Sequence, residues 1–296
     1  MRTSRWLLLS FLSAGIMACG GPEPPQKDTL STEDSGDGSV QQVRQKKTKA
    51  IFYSIPSPME TATLLKKAGA EYETGLLNDV EKVNTYTSAS KQALNLGIYG
   101  ADLSYASVYD HTQESMFYTS CARNLADKLG VLSAFNDTIM DRLERNKGER
   151  DSLLTIISGI YWNVDAYLKE NGRDNIAALM MAGGWIEGLY LATQVTATND
   201  TPELRQRIAE QKHALDDLLA LMNTYEDAGE GQLASTMADL NALAELYKDV
   251  DLGESGTVTQ ENGVTVLAGG KAATLNDEQL TAIRERAATI RNNYVN

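Results

Sequence analysis

Three strongly apolar stretches of the sequence each contain one carboxylate, at Asp102, Asp165 and Glu187. A carboxylate that folding removes from water needs a hydrogen-bonded partner or a shifted pKa, and both are concentrated at functional sites. Two such carboxylates in one pocket could catalyse hydrolysis, because that acid-base chemistry requires no histidine. These acids are therefore the first candidates for a site.

Aromatic residues at helical spacing accompany the acids. Their rings and hydroxyls could converge with the carboxylates on a polar ligand or a cation, and a row of tyrosines could also bind a peptide. The candidate ligand-binding residues are Asp102, Tyr105, Tyr109, Asp165, Trp185, Glu187 and Tyr190.

The alternative is a closed polar core, in which the acids are bonded to tyrosine, tryptophan or an arginine such as Arg123. If the carboxylates are bonded in a closed core, the hypothesis that the protein is a hydrolase is excluded. Unpaired carboxylates in an open cleft would favour that hypothesis. A peptide-binding groove would instead need an exposed apolar patch of more than about 300 Å².

Glycines interrupt two of the same stretches, at Gly97 and Gly100 and at Gly183, Gly184 and Gly188. Inside a helix each glycine costs roughly 1 kcal/mol relative to alanine. We therefore expect the two helices to approach each other closely at these positions.

The scarcity of histidine limits metal chemistry, since the chain has only 2. Glu210 and His213 form one Glu-x-x-His pair, of which di-iron bundles use two. A cysteine-histidine cluster of the zinc type is absent, and so is a phosphate-binding glycine loop. The sequence therefore predicts neither a metal site nor a cofactor.

Hydrophobic residues at helical spacing predict an all-α fold, an up-and-down bundle of about seven to nine helices. Residues 257–267 predict a small β-hairpin with a turn at Asn262-Gly263, and 276–292 predict a terminal amphipathic helix. Helix starts are predicted at Ser57, Thr112 and Thr201 as N-caps. The helices before the hairpin are predicted at 58–69, 88–109, 112–129, 134–147, 149–170, 173–198, 202–226 and 232–250.

The N-terminus predicts export and lipidation. A short apolar core after Arg2 and Arg5 is typical of a secretion signal. Its end, IMAC, resembles the lipobox of bacterial lipoproteins, in which the cysteine is diacylated; the alternative is an ordinary secretory signal whose cysteine is incidental. The resemblance implies that residues 1–18 are the signal peptide and that Cys19 carries the lipid, while Gly20 favours the outer membrane, on its periplasmic or surface face.

The remaining chain is predicted to have three parts. Residues 19–49 form a disordered tether that begins at the lipidated cysteine, 50–252 form the helical bundle, and 253–296 form the hairpin and the terminal helix packed on the bundle. The formal net charge of -13 excludes nucleic acid as a partner. The expected partners are the membrane, through the lipid, and a protein or a small molecule.

Three strings are similar to a group of all-helical lipoproteins of Bacteroidetes-type bacteria. They are YSIPSPME at 53–60, NLGIYGADLSY at 95–105 and GGWIEGLY at 183–190. The resemblance implies a lipoprotein with a helical domain, and it implies no activity because none is assigned to that group. The sequence favours a binding or scaffolding protein of the cell envelope; the alternative is an envelope hydrolase that uses the paired carboxylates.

Overall fold

The structure is a computed structural model of the 296-residue chain. The described residues are 42–47, 49–50, 58–146, 149–173, 175–225, 231–253, 257–261, 264–268 and 270–296. Over these residues the protein is mostly helical, which confirms the all-α character. The predicted signal peptide, Cys19, most of the tether, the Ser57 N-cap and the Asn262-Gly263 turn lie outside the described residues.

From Pro58 onward, nine α-helices follow one another in the described part of the chain. They are α1 (Pro58–Lys67), α2 (Ala89–Val108), α3 (Thr112–Lys128), α4 (Asp137–Arg145), α5 (Arg150–Glu170), α6 (Asn175–Val195), α7 (Pro202–Met222), α8 (Gly231–Tyr247) and α9 (Asp277–Val295). Short 3-10 helices occupy Thr74–Leu76, Val80–Asn84 and Leu132–Phe135. The predicted helix count was too low, because the connections before α2 and α4 themselves form helical turns.

Of the three predicted N-caps, two lie in the described part of the chain, and one of these two is confirmed. Thr201 caps α7, where its hydroxyl accepts a hydrogen bond of 3.2 Å from the backbone N–H of Leu204. The predicted N-cap at Thr112 is wrong. Asp110, with a φ of 62°, makes the tight turn after α2, so His111 takes the N-cap position and its side chain makes no capping bond.

The centre of the fold is the crossing of α2 and α6, whose backbones touch. A Cβ at Gly97 would lie 2.0 Å from the carbonyl oxygen of Met180, and a Cβ at Gly183 would lie 2.0 Å from that of Leu94. Gly184 is also close, since its Cβ would lie 3.3 Å from the Gly97 oxygen. The expected close approach is confirmed at these three glycines.

The same expectation is wrong at Gly100 and Gly188. A Cβ at either position would meet nothing within 4 Å among the described residues. These two glycines face open space beside the crossing, so no neighbour demands the absence of a side chain there.

Helix α6 is surrounded by the rest of the fold. Among the described residues it is the one helix long and apolar enough to cross a membrane, with a mean hydropathy of 1.3. However, 78% of that stretch is buried inside the protein. The core helix of a folded domain has the same composition, so α6 gives only weak evidence for a membrane span.

Helix α9 packs on the crossing from one side, through contacts with α6, α8 and α2. Its predicted apolar stripe, Leu280, Ile283, Ala287 and Ile290, is buried. At the other end of the described chain, residues 42–47 are helical, where the sequence predicted a disordered tether. Arg44 is buried there because its guanidinium stacks 4.2 Å from the Tyr225 ring and donates to the Thr224 oxygen at 3.0 Å.

Two short strands, β1 (Thr257–Glu261) and β2 (Val264–Ala268), pair antiparallel. An isolated bridge joins Asp251 to Thr274 on either side of them. The strand side chains lie outside the described residues. That a hairpin packs here against the helices therefore stays a prediction.

We expect alanine substitutions at two glycines of α6 to have opposite effects on stability. Gly183→Ala should lower the free energy of unfolding by about 1–3 kcal/mol, since the added methyl collides with the α2 backbone. Gly188→Ala should raise it by up to about 1 kcal/mol, because the methyl meets open space and alanine favours the helix. Urea unfolding followed by circular dichroism measures both, and equal effects at the two sites would contradict the crossing.

Candidate functional site

The crossing brings two of the candidate acids together on its α9 side. Asp102 on α2 and Glu187 on α6 are both fully buried, with 0% of either residue exposed to solvent. The glycine contacts let the two backbones approach, so the two carboxylates become neighbours. Arg291 of α9 reaches the same point.

Glu187 and Arg291 form a buried two-point ion pair. The Nε and Nη2 atoms of Arg291 donate to the two carboxylate oxygens of Glu187 at 3.0 and 3.2 Å. The same Nη2 donates to the Leu76 oxygen at 3.1 Å, and the guanidinium lies 4.8 Å from the centre of the Tyr190 ring. Planar two-point pairing of this kind is the strongest form of carboxylate recognition in proteins.

Asp102 is the second acid of the cluster. Its Oδ2 accepts a hydrogen bond of 3.2 Å from the Asn78 backbone N–H, and its Oδ1 accepts none from the described residues. Burial and the neighbouring charge of Glu187 raise the pKa of Asp102 well above its ordinary value. Burial also raises the pKa of Glu187, while Arg291 and the side chain of Asp102 lower it.

This geometry argues against the hydrolase hypothesis. Both carboxylates lie in a closed core, and neither is among the residues that line the cavity on the other side of the crossing. The arginine expected as a possible partner, Arg123, is paired with Asp137 instead, and the guanidinium that binds Glu187 is that of Arg291. The acids hold three segments of the fold together, and the geometry offers them no substrate.

The tyrosine face beside Asp102 is covered by the chain itself. The Tyr109 hydroxyl donates to the Ala70 oxygen at 3.1 Å, and the Tyr105 hydroxyl accepts from the Glu73 N–H at 3.3 Å. Tyr72 from the same connection stacks on Tyr105 with ring centres 5.1 Å apart. The row predicted to bind a peptide is thus occupied by residues 70–73.

Asp165 and Trp185 lie apart from the acidic cluster. Asp165 of α5 accepts a hydrogen bond of 3.2 Å from the Tyr225 hydroxyl. Trp185 of α6 donates from its indole nitrogen to the Oε1 of Gln211 at 3.1 Å. Of the seven candidates, Trp185 lines the cavity described next, and the other six lie elsewhere.

On the other side of the crossing, the helices line a cavity of about 1060 Å³ that opens to the surface. Its floor is formed by α2 and α6, and its walls come from α1, α3, α4, α5 and α7. Gly100 and Gly188 face this space. Five methionines line it, namely Met59, Met116, Met140, Met180 and Met181. Flexible thioether side chains suit an apolar surface that adapts to its ligand.

Sequence patterns did not predict this cavity, because its mostly apolar lining residues come from seven helices and share no local motif. The sequence contains one trace of the cavity, the glycines at 100 and 188. Because no neighbouring atom lies where their side chains would be, each leaves a gap beside its helix. The sequence does not distinguish these glycines from those at the helix contact, because the difference depends on where the surrounding helices lie.

The described residues offer little chemistry for a metal or a nucleophile. Among them, no three His, Cys, Asp or Glu side chains come close enough to share a metal ion. Cys121 of α3 is buried, and desolvation raises its pKa to about 11. At neutral pH it is therefore a thiol that packs in the core, not a nucleophile.

We expect Asp102→Asn to remove a pH-dependent loss of stability. An acid whose pKa is raised by folding stabilises the fold below its unfolded pKa near 4, and that contribution is lost as the pH rises towards the raised value. Asparagine keeps the bond from Asn78 and can donate to Glu187 without ionising. Its stability advantage over the wild type should therefore grow by up to about 1.4 kcal/mol per pH unit above pH 4.

Urea unfolding of both proteins between pH 5 and pH 8 measures this difference. Asp127→Asn, at an exposed carboxylate of α3, controls for the loss of one negative charge. A constant difference between wild type and Asp102→Asn across that range would show that Asp102 is ionised in the folded protein.

Comparisons with protein-family models, with curated proteins and with solved structures found no match to this chain. The interpretation of the site therefore depends on its geometry alone.

Proposed function

We propose that this protein is a lipid-anchored protein of the cell envelope whose helical domain binds an apolar small molecule. The observation that carries the proposal is the cavity of about 1060 Å³ beside the α2–α6 crossing. Ligand sites of proteins are concave and mostly apolar, with a few polar groups, and have volumes of roughly 300–1,000 Å³. This cavity has that character, and its volume is slightly above that range.

The two glycines that face the cavity support a ligand. Each gives up roughly 1 kcal/mol of helix stability relative to alanine. At Gly97 and Gly183 the contact of the backbones explains that cost, but at Gly100 and Gly188 no contact does. Space for a bound molecule accounts for the two glycines that packing leaves unexplained.

The anchoring part of the proposal is based on the N-terminal sequence. Cleavage after Ala18 would leave Cys19 at the mature N-terminus with its lipid, and Gly20 favours the outer membrane. In this proposal the helices form an up-and-down bundle, with the segment 253–268 packed on it as a hairpin. Residues 20–41 would connect the domain to the membrane.

The cavity predicts binding of an apolar fluorescent probe by the folded protein. Wild type should bind N-phenyl-1-naphthylamine with increased fluorescence, and Gly188→Leu should lose at least about tenfold in affinity, because the leucine side chain would occupy the space. Gly159→Leu is the matched control, since Gly159 is exposed on α5 and faces open space outside the lining.

Equal binding by wild type and Gly188→Leu would place the probe elsewhere, and failure of the wild type to bind would remove the ligand-binding proposal. Scaffolding would then be the remaining candidate for the function of the helical domain. Thermal unfolding of each variant, measured beside the titration, shows that it is folded.

Lipidation of Cys19 is tested independently of the cavity. In a bacterial host, the wild-type chain should incorporate labelled palmitate and fractionate with membranes, whereas Cys19→Ala should do neither. Globomycin should make the unprocessed form accumulate in the wild type only. A Cys19→Ala protein that still carries label would show that another residue is acylated.

A further inference from the structure

We infer that the cavity binds an uncharged lipid with a hydroxyl-bearing head group, of the monoacylglycerol class. The inference depends on the ligand-binding function proposed above and adds the chemistry of the ligand. It is based on a row of hydroxyls in the cavity wall, on the pairing of the nearby arginines and on the length of the space.

Four hydroxyls form a continuous row where α2 and α3 face the cavity. Ser104 and Ser107 lie one turn apart on α2, and Ser115 and Thr119 lie one turn apart on α3. The Oγ atoms of Ser107 and Ser115 are 3.2 Å apart, which joins the two helices. All four residues line the cavity.

Every proton of this row is already donated within the protein. Ser104 donates to the Gly100 oxygen at 2.9 Å, and Ser107 donates to Ser115. The Ser115 hydroxyl donates to the backbone carbonyl of His111 at 2.9 Å, and the Thr119 hydroxyl donates to the backbone carbonyl of Ser115 at 2.8 Å. A hydroxyl has one proton and two lone pairs.

The row therefore offers a ligand hydrogen-bond acceptors and no free donor. A head group with hydroxyl protons can bond to these oxygens directly. A carboxylate or a phosphate has only acceptors, so it would first have to break one of the bonds within the row. The hydrogen-bonding pattern thus selects donor-bearing heads over anionic ones.

The charges around the cavity favour the same choice. Its two arginines are already paired, Arg123 with Asp137 and Arg207 with Glu210, the latter at 2.8 Å. Three carboxylates also belong to the lining, namely Asp110, Asp141 and Glu144, and of these Asp110 is paired with Lys66 at 2.7 Å. The chain has a net charge of -13, so an anionic head would approach a repulsive surface.

The shape of the cavity fits an extended hydrocarbon chain. Lining residues run along α2 from Leu96 to Ser107, which is about 17 Å at the helical rise of 1.5 Å per residue. Gly97 contacts Met180 of α6, so these two residues lie at the same end, and Leu96 and Met181 also line the cavity there. The hydroxyl row begins farther along α2, which gives the space a hydrocarbon end and a polar end.

Displacement of N-phenyl-1-naphthylamine by two ligands with the same hydrocarbon chain tests the inference. We expect 1-monolauroylglycerol to displace the probe from wild type at a concentration at least about tenfold lower than laurate does, as the loss of one buried hydrogen bond would produce. Both ligands are used below the concentrations at which they aggregate. The double variant Ser107→Ala/Ser115→Ala should still bind the probe but lose this preference.

Ser120→Ala is the matched control, because Ser120 lines the cavity on α3 but lies outside the row. It should keep the wild-type preference. Displacement by laurate at an equal or lower concentration would overturn the inference, and so would a preference that survives the double substitution. In either case binding of the probe would leave the proposed function standing, whereas absence of probe binding by wild type would remove both.

Discussion

The backbone contact between α2 and α6 is the constraint on which the rest of the structure depends. Gly97 and Gly183 place a carbonyl oxygen of the partner helix where a side chain would otherwise be. The contact has two sides with opposite character. On one side two acids and an arginine close the core, and on the other the helices leave an open apolar space.

The closed side is stable because its charges balance. A buried carboxylate needs a partner, and Arg291 supplies two hydrogen bonds to Glu187 in one plane. A second ionised acid beside this pair would leave one negative charge uncompensated in a medium of low dielectric constant. Burial and the neighbouring charge of Glu187 raise the pKa of Asp102, so the fold favours the protonated form of this acid beside the ion pair.

Much of the helical framework could be predicted from the sequence, because helix periodicity and end signals are local. The structure places α5 at Arg150–Glu170, and the sequence predicts 149–170. The carboxylates of Asp102 and Glu187 were identified for the same local reason, since an acid among apolar residues is visible within one turn. The 3-10 turns at Thr74–Leu76 and Val80–Asn84 carry no such period, and they lie between the predicted helices 58–69 and 88–109.

The parts that could not be predicted depend on distant segments. Arg291 follows Glu187 by 104 positions, and nothing in the α9 sequence distinguishes it from other arginines on that helix. Gly97 and Gly100 lie one turn apart with similar neighbours, yet the partner helix lies against the first and not the second. Such differences are decided by tertiary packing, which a single sequence leaves open.

The position of Arg291 on α9 affects the order in which the core can close. A chain in which only α2 and α6 have formed has both acids but lacks the cation that pairs with Glu187. Closing the crossing at that stage would bury Glu187 without a counter-ion, which costs several kcal/mol. Completion of this side of the core therefore requires α9, because that helix supplies the counter-ion of Glu187.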